Sequence, residues 1–263
     1  MSNAVKEYYN AGVENEWVRI EGRPEFLITS RYLNRYIKPG DAVLDVGGGP
    51  GRYALPLAEK GCDVVLLDLA DENVKFAEAR AAEQGMKIQT ICGDACEVDT
   101  LVEGQFDHIL LMGPLYHLIS ESERTKAVNA CISLLKPGGI IYVSFISLIS
   151  GVIYAMRLNP GLVGEASEKE FFESFVNDRY YSGPAFTEAY FATQKEILPF
   201  MSQFPLEKMH LLGQESILTP CERNIMSQPQ EIIDLWIDLA EKVCEREELL
   251  SWAEHIMFIG RKK

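Results

Sequence analysis

The segment VLDVGGGPGRY, residues Val43 to Tyr53, predicts most of the fold. It begins as an aliphatic, β-branched run, which is typical of a strand buried on both faces of a parallel sheet. Four glycines follow within five positions, and residues 52–60 then have helical composition. A strand, a glycine-rich turn and a helix in this order form the first βα unit of a doubly wound sheet. Such a turn lets a ligand approach the backbone closely, because glycine carries no side chain.

The spacing of the glycines separates two classes of nucleotide cofactor. The dinucleotide pattern G-x-G-x-x-G fails in both frames, since Arg52 or Tyr53 would replace its third glycine. The pattern that fits is D-x-G-x-G-x-G, whose residues here are Asp45, Gly47, Gly49 and Gly51, with Gly48 between them. This is the first motif of the class I S-adenosylmethionine (SAM) dependent methyltransferases, a family that the chain resembles over nearly its whole length.

A second acidic residue supports this resemblance. Asp68 ends the run VVLLD, 21 residues after Gly47, close to the ~20 residues expected for ribose recognition in a βαβ fold. The resemblance implies that its carboxylate accepts hydrogen bonds from both ribose hydroxyls, with Leu69 beside it. Asp63, at the other end of the same strand, is interpreted as a solvated strand start.

Three further segments match the family in order. IQTICGDAC brings Asp94 and Ala95 into a loop, where the resemblance implies contacts with adenine; a simple Gly-Asp turn is the alternative. FDHILLMGPLYHL, residues 106–118, is a fourth strand and a loop, and the resemblance implies that Met112 and residues 114–117 lie beside the cofactor. LLKPGGIIYVSF, residues 134–145, is a helix end, a turn and a fifth strand.

His117 and Tyr116 are the candidate catalytic residues. Methyl transfer depends chiefly on placing the nucleophile, and a general base adds roughly 10²–10⁴-fold. The ordinary pKa of histidine, about 6.5, suits His117 for removing a proton from an oxygen or nitrogen nucleophile. A structural role in the loop is the alternative for both residues. The other histidines, His108, His210 and His255, fall within strand patterns and are interpreted as core or edge residues.

Outside the cofactor motifs, the chain resembles a group of small bacterial members of the family. The shared segments are GPLYHL, FTEAYF (residues 186–191) and NEWVRIEGRPEF (residues 15–26). The resemblance implies cleft contacts at Glu16, Arg19 and Tyr190, with Arg19 and Tyr190 as the candidate substrate contacts. Arg19 would meet the SAM carboxylate or an acidic substrate, and an ion pair with Glu16 or Glu21 is the alternative. Ten aromatic residues between 171 and 204 lie in a region, 148–204, that we interpret as an inserted cap. They either hold a substrate or form the core of the cap.

The predicted elements form a single α/β domain, 1–263, with a doubly wound, mostly parallel, seven-stranded sheet. Residues 1–37 are predicted to be a helical segment. The resemblance implies the strand order 3-2-1-4-5-7-6 with the last strand antiparallel. Strands are predicted near 42–47, 63–69, 88–93, 106–112, 140–146, 206–213 and 254–261, and helices near 51–60, 72–84, 121–135 and 229–249.

Composition and charge exclude several classes of partner. With 39 acidic against 25 basic residues and a formal charge of −14, no basic stripe for a nucleic acid is expected. The apolar run 140–156 is shorter than the ~20 residues of a membrane-spanning helix. Six cysteines without a C-x-x-C pair predict reduced thiols and no metal, and without a signal sequence the protein is expected to be cytoplasmic.

Together these patterns predict a SAM-dependent methyltransferase that releases S-adenosylhomocysteine. Its substrate is expected to be a small, partly apolar molecule methylated at oxygen or nitrogen. Two alternatives stay open: a SAM-binding protein without transferase activity, and an NAD-dependent oxidoreductase. The oligomeric state is not predicted.

Overall fold

The computed structural model of the protein describes residues 3–19 and 21–263. Within these ranges one sheet is flanked by helices on both faces. Its strands are β1 (Ala42–Val46), β2 (Asp63–Asp68), β3 (Gln89–Cys92), β4 (Phe106–Leu111), β5 (Leu135–Ser147), β6 (Tyr181–Pro184), β7 (Glu188–Ala192), β8 (Leu206–Gly213) and β9 (His255–Lys262). The helices are α1 (Asn3–Ala11), α2 (Val13–Arg19), α3 (Pro24–Tyr36), α4 (Ala54–Glu59), α5 (Asp71–Glu83), α6 (Val98–Leu101), α7 (Glu121–Leu134), α8 (Leu148–Leu158), α9 (Lys169–Val176), α10 (Gln194–Met201), α11 (Glu222–Ile225) and α12 (Gln230–Val243).

Seven strands form the doubly wound sheet, in the order β3-β2-β1-β4-β5-β9-β8. Strands β1 to β5 are parallel, and β9 is antiparallel to both β5 and β8. Since β8 and β9 are the sixth and seventh strands of this set, the predicted order 3-2-1-4-5-7-6 with an antiparallel last strand is confirmed. We call the edge where β1 to β5 end the carboxyl edge.

The segment between β5 and β8 adds two strands to this sheet. β6 and β7 form an antiparallel hairpin, and β7 pairs in parallel with the end of β5 at Ile146 and Ser147. Three rings of this segment pack on one another: Phe171 lies 5.2 Å from Tyr181 and 5.4 Å from Phe191 between centroids. These aromatics therefore form a small core of their own, with Ile146 and Leu148.

The two faces of the sheet carry separate apolar layers, because side chains alternate along each strand. Leu44, Ile109 and Val143 point to one layer, whereas Val43, Leu110 and Tyr142 point to the other. Helices cover both layers, as a mostly parallel sheet requires. The carboxyl edge is where ligands bind in folds of this kind.

Two helices differ from their predicted bounds. α4 begins at Ala54 rather than near residue 51, because the glycine turn continues through residues 51–53. α12 ends at Val243 rather than near residue 249, and a short 3₁₀ turn, Glu247–Trp252, follows it. Along residues 3–19 and 21–263, no helix has the length and apolarity to cross a bilayer.

Candidate functional site

The glycine turn has a backbone that other residues rarely adopt. Gly47, Gly49 and Gly51 have φ angles of +72°, +55° and +90°. The Gly47 N–H donates to the Leu67 carbonyl at 2.7 Å, which joins the turn to β2. A Cβ atom at Gly47 would lie 2.5 Å from Cδ of Pro114. The turn is thus in direct contact with the loop that follows β4.

Asp68 holds the end of β2 against this turn. One carboxylate oxygen accepts from the Gly49 N–H at 2.8 Å. The other accepts from the Ala70 N–H at 2.8 Å and from Asn73 Nδ2 at 3.2 Å. Because a carboxylate oxygen has two lone pairs, the oxygen on Gly49 keeps one free for a ligand.

Asp45 leaves a buried polar atom without a partner. The residue is 2% exposed, and its Oδ2 atom makes no hydrogen bond. Burial, and then the charge of Asp68, raises the pKa of Asp45 to about 7. Unsatisfied buried polar atoms are rare in native proteins.

A cavity at the carboxyl edge is lined by the turn, the end of β2, the loop after β4 and the N-terminal helices. Its volume is about 70 Å³, whereas ligand pockets typically span ~300–1,000 Å³. A cofactor can enter only if part of the lining moves. The lining residues include Val5, Lys6, Tyr9, Glu16, Gly47, Gly49, Asp68, Leu69, Gly113, Tyr116 and His117.

Helix α1 is the element that covers this cavity. Its polar contacts include Tyr9 Oη to His117 Nε2 at 2.8 Å, Lys6 Nζ to Asp71 at 3.1 Å, Asn10 Nδ2 to Asp71 at 3.1 Å and the Glu72 N–H to Asn10 Oδ1 at 3.1 Å. Ion pairs at the surface are weak, because water and salt screen them. The polar contacts of α1 with α5 are therefore weak, whereas the Val5 side chain is buried and the Tyr9 ring packs 5.3 Å from the His117 ring.

His117 is buried between α1 and the β6–β7 hairpin. Its Nδ1 atom lies 3.3 Å from the Glu188 carbonyl oxygen. That geometry assigns the proton to Nδ1 and leaves Nε2 to accept from the Tyr9 hydroxyl. The Phe186 and Tyr116 rings lie 5.7 and 4.9 Å from the imidazole. Burial lowers the pKa of His117 to about 4, so the ring is neutral at pH 7.

The structure brings only some of the predicted cofactor residues to the cavity. Gly47, Gly49, Asp68 and Leu69 line it, together with the two candidate catalytic residues. Others lie outside its lining. They are Asp45 buried beneath the turn, Gly48 and Gly51 in the turn, Asp94 capping the short turn after β3 through Cys96 N, Ala95 buried beside it, and Met112 packed on the core after β4.

The two predicted substrate contacts have partners within the protein. Arg19 pairs with Glu16 at 2.9 Å and with Glu25 at 3.4 Å. The Tyr190 ring is buried beneath the Arg124 guanidinium, whose central carbon lies 3.6 Å from the ring centroid. Tyr190 is absent from the cavity lining, because β7 directs it into the main core.

Sequence reasoning missed a charged cluster beside the cavity, formed by Arg19, Glu25, Glu215 and His255. His255 Nδ1 lies 2.7 Å from Glu215 and 3.9 Å from Glu25. Burial disfavours the charged imidazole, but these two carboxylates outweigh it and raise the pKa of His255 to about 9. The interpretation of His255 as a core or edge residue misses this pairing. The nearest indication in the sequence was an acidic residue, Glu215, shortly after the predicted strand 206–213.

A wider groove of about 810 Å³ lies elsewhere, between α10, β8 and residues 245–251. It contains Lys195, Lys208 and His210. None of the glycine turn, Asp68 or the loop after β4 reaches it. Size alone therefore does not identify the functional site.

Stability should depend on pH in two opposite ways. For His117 the pKa falls from 6.5 to about 4 on folding. The neutral ring therefore stabilises the folded protein above pH 6.5, and this stabilisation is lost as pH falls toward 4. For His255 the pKa rises from 6.5 to about 9, so its contribution is present below pH 6.5 and is lost as pH rises through 9. In a His117→Gln variant the free energy of unfolding should no longer fall by about 3 kcal/mol between pH 6.5 and 4. Its decrease at alkaline pH should remain, because His255 is unchanged. Urea unfolding between pH 4.5 and 9 measures both, and equal acidic slopes in the two proteins would contradict the assignment to His117.

Comparison with known proteins gives matches of sequence and of fold. Residues 43–139 match the sequence profile of a family described as methyltransferase domain. The ubiquinone biosynthesis O-methyltransferase of Bordetella avium is 34% identical over 129 residues, which cover 46% of this chain and 52% of that protein. The corresponding protein of Xanthomonas axonopodis is 30% identical over 164 residues, which cover 57% of this chain and 67% of that protein.

A solved structure extends the fold match beyond those segments. The magnesium protoporphyrin IX methyltransferase of Synechocystis, solved with bound SAM, superposes with a TM-score of 0.57 at 14% identity. The superposition covers 98% of this chain and 95% of that protein. The sequence match with the Bordetella protein, by contrast, spans about half of that protein's length.

Proposed function

The chain belongs to the class I SAM-dependent methyltransferases, and on this premise we propose that it transfers a methyl group to an oxygen or nitrogen of a small, partly apolar molecule. The observation that carries the proposal is the D-x-G-x-G-x-G turn bound to Asp68 at the carboxyl edge. The names of the two relatives support oxygen as the acceptor atom. The acidic composition supports a small molecule rather than a nucleic acid, and six free thiols support a cytoplasmic location.

Several residues of this chain would hold the cofactor. Asp68 would bind the ribose hydroxyls beside Leu69, and Gly47 and Gly49 would admit the ligand close to the backbone. Asp45 would support the turn from below, since its carboxylate is buried against Gly48. The remaining members of the proposed set are Gly48, Gly51, Asp94, Ala95 and Met112.

SAM would supply a methyl group on a positively charged sulfur: the carbon–sulfur bond breaks as the acceptor lone pair bonds the carbon, and the acceptor loses a proton. The protein must then align the acceptor and exclude water. Alignment can contribute ~7–11 kcal/mol to lowering the barrier. Helix α1 and Phe186 are placed to keep water out, since they lie over His117 and the cavity.

His117 is the proposed proton acceptor and Tyr116 a proposed neighbour of the reacting atoms. A shift of α1 would remove the Tyr9 hydroxyl from Nε2, while the Glu188 carbonyl keeps the proton on Nδ1. Nε2 would then face the cavity with a free lone pair. In the closed arrangement burial lowers the pKa of His117 to about 4, which makes the ring a weak base, since a general base works best with a pKa near the operating pH. The shift of α1 that frees Nε2 would also expose the ring, and its pKa would then rise toward the ordinary value of about 6.5.

A His117→Gln variant is expected to lower kcat about 100-fold, within the ~10²–10⁴ range for loss of a general base. Binding of S-adenosylhomocysteine should stay within about twofold, because the proposed role concerns the acceptor proton. His210→Gln is the matched control, since His210 lies outside the cavity on β8. An unchanged kcat would assign His117 a structural role.

The first experiment is calorimetric titration with SAM, S-adenosylhomocysteine and NAD, followed by transfer of labelled methyl from SAM to candidate phenols and amines. The proposal expects micromolar binding of the two adenosyl ligands and labelled product. Binding without any transfer would favour a SAM-binding protein that lacks transferase activity. Binding of NAD alone would favour the oxidoreductase alternative.

A further inference from the structure

Helix α12 has a wider apolar surface than the domain covers. Its buried side chains are those of Ile233, Ile237 and Ala240. Four further apolar side chains, at positions i, i+3, i+4 and i+7, are exposed to solvent. They are Ile232, Leu235, Trp236 and Leu239, and we call them the exposed face of α12. Since this spacing places side chains on one side of a helix, the exposed face is continuous and about 100° wide.

The acidic side chains of α12 lie on a different side of the helix. Helix α3 packs there, where Arg31 pairs with Asp238 at 2.7 Å and Arg35 pairs with Glu241 at 2.6 Å. These carboxylates have cationic partners and, by the helical repeat, point away from the exposed face. A molecule that approaches the exposed face would therefore meet apolar side chains. Contiguous apolar patches on the surface of a soluble domain mark interaction sites.

Two exposed residues of opposite charge border this face. Glu231 lies at the start of α12 and Lys242 near its end. They are eleven positions apart, about three helical turns, so both lie on the same flank of the helix. Within residues 3–19 and 21–263, neither side chain has an ion-pair partner. The border of the exposed face thus carries one unpaired negative and one unpaired positive charge.

Two antiparallel copies of α12 would match each other in both apolar surface and charge. A twofold axis through the middle of the exposed face places Ile232 of one copy opposite Leu239 of the other, so that each face covers the other. The same axis brings Glu231 of each copy close to Lys242 of the other, because both residues lie on one flank. Two ion pairs would then border one apolar seam. The exposed face is therefore complementary to itself.

We propose that the exposed face of α12 is the interface of a homodimer in which two copies of this helix pack antiparallel. The inference is independent of the proposed function. A standard interface buries about 800 Å² per partner, and a helix of 14 residues, about 21 Å long, covers less. We therefore expect a dissociation constant in the micromolar range. An anionic membrane fits less well, since it would repel Glu231 and a chain with a formal charge of −14.

Sedimentation velocity of the full chain, at about 1 to 200 μM, tests the proposal. The wild-type protein should show a reversible equilibrium between monomer and dimer. Leu235→Glu places a charge at the most exposed position of the face, 65%, and should weaken the dimer at least ~50-fold. Val176→Glu is the matched control, because Val176 is an exposed apolar residue on α9, and it should leave the dimer intact. Thermal unfolding shows that both variants are folded.

Exchange of the two border charges tests the antiparallel arrangement. Glu231→Lys and Lys242→Glu should each weaken the dimer about tenfold, since each brings like charges together at two symmetric contacts. The double variant should return to within about threefold of the wild-type affinity, because the attraction is restored with its sign reversed. Within one chain the two residues are about 16 Å apart along the helix, so the rescue reports a contact between copies.

The proposal is overturned by a protein that stays monomeric at the highest concentration, or by a dimer that Leu235→Glu leaves unchanged. A double variant that dimerises no better than the single variants would overturn the antiparallel pairing. Vesicles of phosphatidylcholine and phosphatidylglycerol provide a further test. Binding of the wild-type protein to them, lost in Leu235→Glu, would assign the exposed face to a membrane surface instead.

Discussion

Replacing Gly47 with alanine is expected to lower the free energy of unfolding by about 2–5 kcal/mol. A positive φ costs an L-residue about 1–2 kcal/mol, and Gly47 has a φ of +72°. The new Cβ would also lie 2.5 Å from Cδ of Pro114, and overpacking of this kind costs about 1–3 kcal/mol. Because both the turn and the loop after β4 would have to shift, binding of S-adenosylhomocysteine should weaken as well. Urea unfolding and calorimetry measure the two effects.

Gly85→Ala is the matched control for this change. Gly85 has a similar φ of +68°, but an added Cβ there would meet nothing within 4 Å. The control should therefore show only the backbone cost of about 1–2 kcal/mol, with ligand binding unchanged. If the two variants were equally stable, contact between the turn and Pro114 would not constrain the site.

Replacing Asp68 with alanine is expected to weaken binding of S-adenosylhomocysteine by roughly 100- to 10,000-fold. A hydrogen bond to a charged group contributes about 1.5–3 kcal/mol, and the proposed role gives Asp68 two such bonds to the ribose. The change also releases the Gly49 and Ala70 N–H groups. The turn should therefore become less ordered, and its affinity for the ligand should fall further.

Asp63→Ala is the control, because it removes a carboxylate from the exposed start of the same strand. It should leave affinity within about twofold. Asp68→Asn separates charge from shape, since it keeps one acceptor oxygen at the same place. Calorimetry measures the affinity of the three variants for S-adenosylhomocysteine, and thermal unfolding shows that each is folded. Unchanged affinity in Asp68→Ala would remove the ribose role.

The cofactor side of the site could be predicted because its signals are local. Asp45 and the glycines lie within seven positions, and Asp68 ends the next strand. Their chemistry follows from backbone sterics and strand direction, which the sequence determines over short distances. The parallel part of the sheet could be predicted for a related reason, since the alternation of strands and helices persists to residue 146. The order of the strands came from the resemblance to the methyltransferase family.

The charged cluster beside the cavity depends on contacts between distant parts of the chain. Glu25, Glu215 and His255 come together only because β8 and β9 lie beside β5. No spacing in the sequence relates them, so His255 looked like an ordinary strand residue. Tyr190 shows the converse, since this motif residue packs beneath Arg124 and lies outside the cavity lining. The packing of α1 on His117 could not be predicted either, because the hydrogen bond between Tyr9 and His117 joins residues 108 positions apart and no sequence pattern relates them.

The closed position of α1 has a kinetic consequence. The cavity of about 70 Å³ is too small for a nucleoside, so we expect a ligand to bind only after the helix has moved away from His117. At high ligand concentration the rate of association is then limited by this opening and no longer rises with concentration. The same motion must recur before the spent cofactor departs. Helix α1 would thereby set an upper limit on the number of turnovers per second, however fast the methyl group itself moves.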